Sequence, residues 1–184
     1  LLPWNEQLAV LASRIHRSRV RYVLRLNEVL ERSLFEREEV SIRYRSSLEE
    51  KGDLEQYDAL MNERLALRVQ AELAAGHSLV GPHRDDLVIL FDGRELRKYG
   101  SAGQQRSALL LLQLANISIY HSQQDEYPLF LLDDIDAELD YRRIGRLFEY
   151  LEDKTQTFVT TSKASFADQF GRSSCILTVN GGRA

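Results

Sequence analysis

Residues 99–140 read YGSAGQQRSALLLLQLANISIYHSQQDEYPLFLLDDIDAELD, and the rest of the chain is best read outward from them. A small-residue turn (Ser101, Ala102, Gly103, Gln104, Gln105, Arg106) opens an apolar helix, and an apolar strand further on ends in Asp133 and Asp134. Ser101 and Gln104 have capping-box spacing, and Gly103 lets a ligand approach the backbone closely. The first N–H groups of a helix, aided by its dipole, favour an anion such as phosphate. An ordinary N-cap is the commoner meaning of a bare SxGQ. The strand is more pointed, because a parallel strand delivers its C-terminal residues to the sheet edge where ligands sit. One carboxylate there suits Mg2+ and the next suits an attacking water, since phosphoryl transfer demands positioning and charge neutralisation. Asp136, Glu138 and Asp140 follow, an acidic cluster that predicts a bound cation, with Asp140 also placed to cap the next helix. No Gly is followed by Lys, so a GxxxxGK[ST] phosphate loop is absent and must lie elsewhere.

Downstream, apolar periodicity predicts a strand at 129–132, a helix carrying Ile144, Leu147, Phe148 and Leu151, a strand at 157–160, a short helix at about 164–170 and a strand at 175–179. That alternation implies an α/β fold with a mostly parallel sheet. Residues 108–120 are apolar on nearly every side, as in a buried helix. Upstream, Gly81-Pro82 marks a turn, and the run 87–91 meets Asp92-Gly93, a hairpin signal. Before Gly76, Leu8, Leu11, Ile15, Tyr22, Leu26 and Leu30 predict a long helix over about 4–35, and Leu54, Tyr57, Met61, Leu65 and Leu73 a second. Between them residues 39–45 alternate like a strand, read as a small irregular insertion. The expected domains are a helical arm of antiparallel long helices (1–76) and an α/β lobe (77–184).

With 184 residues, 43% apolar and 28% charged, the chain can bury a sizeable core. Its longest apolar runs are about five residues, so no membrane span is expected. The single Cys175 excludes an internal disulfide framework, fits a reducing cytosol and reads as a buried small apolar residue. A start at Leu-Leu-Pro-Trp reads as a piece of a longer polypeptide. Net charge of −4 argues against a uniformly basic binder, yet Arg14, Arg17, Arg21 and Arg25 fall along one helix face. Such a ridge suits nucleic-acid phosphates; a solvated face pairing with Glu28 or Glu31 is the equal alternative.

GPHRDDL (81–87), GSAGQQRS (100–107), LLDDIDAELD (131–140) and FVTTS (158–162), in this order and spacing, resemble the C-terminal portion of the RecF family, bacterial recombination-repair ATPases related to SMC and ABC proteins. The resemblance implies an ABC-type ATPase lobe with a helical arm, and ATP and Mg2+ as cofactors. It makes Ser101, Gly103 and Gln104 the signature that contacts the terminal phosphate of ATP on a second protomer. Asp133 becomes the metal-linked carboxylate and Asp134 the catalytic acid that polarises water. Transporters usually place Glu at the latter position, and the shorter Asp fits slow hydrolysis. Glu138, Leu139 and Asp140 resemble the D-loop, although Ile135-Asp136-Ala137 is more acidic than that pattern. Thr160 and Thr161 stand where transporters place a switch histidine, which makes a hydroxyl, Thr161 above all, the sensor of the nucleotide.

The family's behaviour further implies a slow, cytoplasmic, DNA-dependent ATPase that forms an ATP-dependent homodimer on gapped duplex and single-/double-strand junctions. With RecR and RecO it would help load RecA and serve the SOS response, the four arginines touching DNA; this piece alone would be inactive. His83, Arg84, Asp85 and Asp86 fit either a metal cluster or a structured turn. Alternatives are the head of an SMC-like or RecN-like ATPase, whose halves are separated by a far longer coiled coil, and a non-enzymatic interaction module.

Overall fold

Glycine and aspartate punctuation fixes where the elements stop. The computed structural model describes residues 2–30, 39–135, 140–170 and 174–179. They form two compact units, one from 2–30 with 40–99 and the other from residue 100 onward.

In the first unit, α1 (Leu2–Val29) and α2 (Tyr57–Ala75) pack together. Ala9 and Ala12 are small enough to let α2 approach, and with Leu48, Tyr57, Leu60, Met61, Leu65 and Val80 they form the core. Each large side chain buried there contributes about 1.5–3 kcal/mol. Asp53 starts α2's leading turn by accepting from Glu55 N at 2.9 Å. Gly76, at φ 71°, ends α2 in the left-handed conformation that glycine adopts at no steric cost.

Strands β1 (Val40–Arg45), β2 (Asp86–Phe91) and β3 (Arg94–Glu95) build an antiparallel sheet in that order. The register runs from Val40 opposite Phe91 to Arg45 opposite Asp86. Asp92 and Gly93 both have positive φ, as a tight β2–β3 turn requires. The strand expected over 39–45 is present, but it is part of a sheet and not a small irregular insertion between the helices, because its partner lies far along the chain. Asn27 of α1 secures it, its amide donating to Ile42 O at 2.8 Å and accepting from Ile42 N at 2.9 Å, as a neighbouring strand would. A short α3 (Leu96–Tyr99) completes the unit.

The second unit runs α4 (Ala102–Gln124), β4 (Phe130–Leu132), α5 (Tyr141–Leu151), β5 (Thr157–Val159) and α6 (Ala164–Phe170). Strands β4 and β5 are parallel, with Leu131 opposite Phe158. Helix α5 buries Ile144, Leu147 and Leu151, one helical face, while rings of Tyr141, Phe148, Phe166 and Phe170 join it to α6. This is the expected α/β signature-lobe architecture with a helical arm. Two details differ. Residues 175–179 form no strand and are exposed, since no described strand pairs with them, and Cys175 is exposed as well.

Among the described residues no helix is long and apolar enough to cross a membrane.

Candidate functional site

The turn into α4 is the capping box its spacing predicts. Gln104 N donates to Ser101 Oγ at 3.2 Å, and Ser101 N donates to Gln104 Oε1 at 2.8 Å. Gln105 Nε2 donates a further hydrogen bond to Gly100 O at 3.2 Å. Ser101, Ala102 and Gly103 are exposed. A methyl added at Gly103 would meet nothing nearer than Ser101 Oγ at 4.0 Å, so the chain's own packing does not demand glycine there. Glycine costs a helix about 0.5–1 kcal/mol relative to alanine. Open space above an N-terminal backbone, beside a hydroxyl, fits a phosphate approaching the helix end.

One turn further, Ser107 is fully buried. Its hydroxyl donates to Gly103 O at 2.9 Å and accepts from Arg143 Nη1 at 2.7 Å. Arg143 belongs to the first turn of α5, whose N-cap is Asp140: Asp140 Oδ1 accepts from Arg143 N at 2.9 Å, and Oδ2 lies 3.6 Å from Arg143 Nε. The capping role foreseen for Asp140 is thus present, whereas Asp136, Glu138 and Leu139 lie outside the described residues.

At the end of β4, Asp133 and Asp134 are both exposed. The Thr160 hydroxyl, just past β5, donates to Asp133 Oδ1, and its oxygen accepts from Asp134 N at 3.0 Å. Thr160 N also donates to Leu132 O at 2.9 Å, continuing the ladder. Asp134 has φ 49°, a left-handed conformation that Asp tolerates better than most residues. Thr160 therefore holds the Asp133 carboxylate and the backbone of Asp134. Thr161 Oγ1 accepts from Lys163 N at 3.1 Å, at the entry to α6. No group of three His, Cys, Asp or Glu side chains gathers to hold a metal among the described residues. Asp133 with ligand oxygens is the donor set that fits Mg2+, which keeps several waters and binds through one or two carboxylates plus phosphates.

No protein-family model matches the chain. It is 39% identical to the DNA replication and repair protein RecF of a Synechocystis strain, over 98% of this chain and 48% of that protein. It is 37% identical to RecF of Halothermothrix orenii, over 86% and 44%. A solved structure of the recombination mediator protein RecF–ATP in the RecFOR pathway matches with TM-score 0.73 and 32% identity, over 87% of this chain and 44% of that one. The chain belongs to the RecF family. It spans about half the length of the RecF relatives it matches.

The GPHRDD stretch of this RecF chain forms a structured turn. Asp85, its side chain buried, accepts from the Tyr44 hydroxyl and from Ser47 N at 2.7 Å, with Arg19 Nη1 3.5 Å away. Arg19 also donates to Pro82 O at 2.6 Å, and Arg45 pairs with Asp86 at 2.7 Å. Burial pushes the Tyr44 phenol well above its ordinary 10, helped by its bond to Asp85. Tyr57 is pushed up to about 12 by burial and then by Asp85, and burial lowers His16, stacked on it at 4.3 Å. These are structural consequences of an enclosed carboxylate. Arg14, Arg17, Arg21 and Arg25 are all exposed on α1 of the RecF arm, and none enters an ion pair formed among the described residues, with Glu28 or any other acid.

Proposed function

We propose that this chain supplies the signature turn and the water-activating carboxylates of a RecF-type repair ATPase, whose phosphate loop is carried by the rest of the full-length protein. The observation that carries this is the bare side of the β4–β5 pair: Leu131 is 70% exposed and Phe158 51%, although they are neighbours on adjacent parallel strands. Parallel strands are ordinarily covered on both faces, so this surface expects a covering layer from the rest of the full-length protein.

The second unit, from residue 100 onward, would belong to the ATPase lobe, and α1 and α2 of the first unit would form the arm. Ser101, Gly103 and Gln104 would bind the terminal phosphate of ATP held by a second protomer, through backbone N–H groups and the Ser101 hydroxyl. Asp134 would orient the attacking water, held in aim by the Thr160 oxygen on its N–H. Asp133 would hold Mg2+, which when bound neutralises phosphate charge. Thr161 and Asp140 would report the nucleotide to α6 and α5. The whole protein would be a slow, DNA-dependent, cytoplasmic ATPase that dimerises on ATP, engages gapped duplex through the α1 arginines, and works with RecR and RecO to load RecA.

The test uses the full-length protein. Ser101→Arg places a long cation in the open space beside Gly103, so ATP binding by the monomer should persist while the ATP-dependent dimer, followed by light scattering, disappears. A dimer of normal strength would exclude the trans role of the signature turn.

A further inference from the structure

The signature turn, which the proposed function assigns to the partner's nucleotide, and Asp140, which it makes the reporter of the nucleotide to α5, are joined by one side chain. Arg143 leaves the first turn of α5, donates from Nη1 to the buried Ser107 hydroxyl at 2.7 Å, and keeps Nε 3.6 Å from the Asp140 carboxylate. Ser107 passes the contact to the carbonyl of Gly103 at 2.9 Å. The line Gly103 O, Ser107 Oγ, Arg143 guanidinium, Asp140 carboxylate thus runs from the glycine of the signature to the cap of α5. Ser107 has no exposure and Arg143 is mostly covered, so water is a poor substitute for either partner. The guanidinium is a rigid planar fork that fixes two directions at once, which a lysine ammonium does not. A second tie between the same helices, Ser118 Oγ to Tyr150 OH at 3.2 Å, lies further along both, away from the turn.

We infer that Arg143 is a positioning residue: it locks the signature turn to the start of α5, so that the surface meeting the partner's ATP and the Asp140 cap move as one body. The inference rests on the trans role proposed above for Ser101. A purely packing role would make the two ties between α4 and α5 interchangeable. A positioning role makes only the Arg143 tie matter to dimerisation.

Three variants of the full-length protein separate these: Arg143→Met, Ser107→Ala and, as the matched control, Tyr150→Phe. Ser107→Ala removes the hydroxyl with almost no change of volume and suits a helix, which keeps the test open if Arg143→Met folds poorly. Each is compared for binding of a fluorescent ATP analogue by the monomer, ATP-dependent dimerisation by light scattering, and thermal midpoint. Arg143→Met and Ser107→Ala should bind the analogue within about twofold of the parent yet dimerise about tenfold more weakly, a change of ~1.4 kcal/mol. Tyr150→Phe should dimerise normally. Equal dimerisation by Ser107→Ala and Tyr150→Phe overturns the inference. If Ser101→Arg abolishes the dimer while these variants keep it, Arg143 alone has been misread; if Ser101→Arg also keeps it, the signature assignment itself has failed.

Discussion

Thr160 contacts both residues of the Asp133–Asp134 pair. Its hydroxyl meets Asp133 and its oxygen meets the Asp134 N–H, so one small residue on β5's exit sets the aim of both acids on β4's exit. Valine keeps the shape and removes both bonds. A hydrogen bond to a charged group contributes about 1.5–3 kcal/mol, and each ~1.4 kcal/mol is tenfold in rate. In the full-length protein Thr160→Val should therefore slow ATP hydrolysis about tenfold or more while the ATP-dependent dimer still forms. Steady-state turnover measured beside light scattering checks both halves, and undiminished turnover would leave Thr160 without a role at the carboxylates. The family resemblance implied a place near the nucleotide for Thr160 and Thr161, but not this brace, because it depends on two strand ends that are adjacent only once β4 and β5 pair in parallel register. Arg143 was hidden for a related reason. In DYRRIGR it looks like a solvated first turn, and only the packing of α4 brings Ser107 to it.

At the scale of elements, α1 and β1 show what pattern reading captures and what it leaves out. The long helix α1 is where the pattern put it, but its buried face carries Ala9, Ala12, His16, Val23 and Leu26, with Leu30 just past its end, so Leu11, Ile15 and Tyr22 of the expected stripe lie exposed, as do Arg14, Arg17, Arg21 and Arg25. If the arginine face tracks DNA phosphates, each contact adds about 0.9 to the slope of log affinity against log salt. Replacing all four with Ala in the full-length protein should weaken duplex binding and lower the slope by roughly 3–4. Fluorescence anisotropy across a salt series measures this, and an unaltered slope would remove α1 from the DNA surface. The alternation of Val40, Ile42 and Tyr44 announced a strand with equal clarity. Its partner did not show, because the intervening residues include all of α2 and no local rule ties residue 42 to residue 89. The same gap concealed Asn27, whose amide satisfies backbone groups at Ile42 that only the tertiary structure brings near.

For the whole molecule, the order signature, carboxylates, threonines was legible because each motif sits at the end of a regular element, where helix caps and strand ends carry chemistry. The extent of the lobe was less so: residues 175–179 have strand-like composition, but a strand exists only with a neighbour, and no described one pairs with them. The lack of a GxxxxGK[ST] loop predicts that this 184-residue chain, purified alone, turns over no ATP above a blank. A phosphate-release assay on the pure chain decides it, and measurable turnover would contradict a site divided between two parts of the protein. The Asp85 anchor bears on mechanics. One enclosed carboxylate fastens Arg19, Tyr44 and Ser47, and Arg19 in turn grips Pro82. Arg19 stands among the four ridge arginines, so α1 is a lever clamped along the very stretch that would take a load. A pull on its basic face would be delivered into β1 and β2, with little lost to bending.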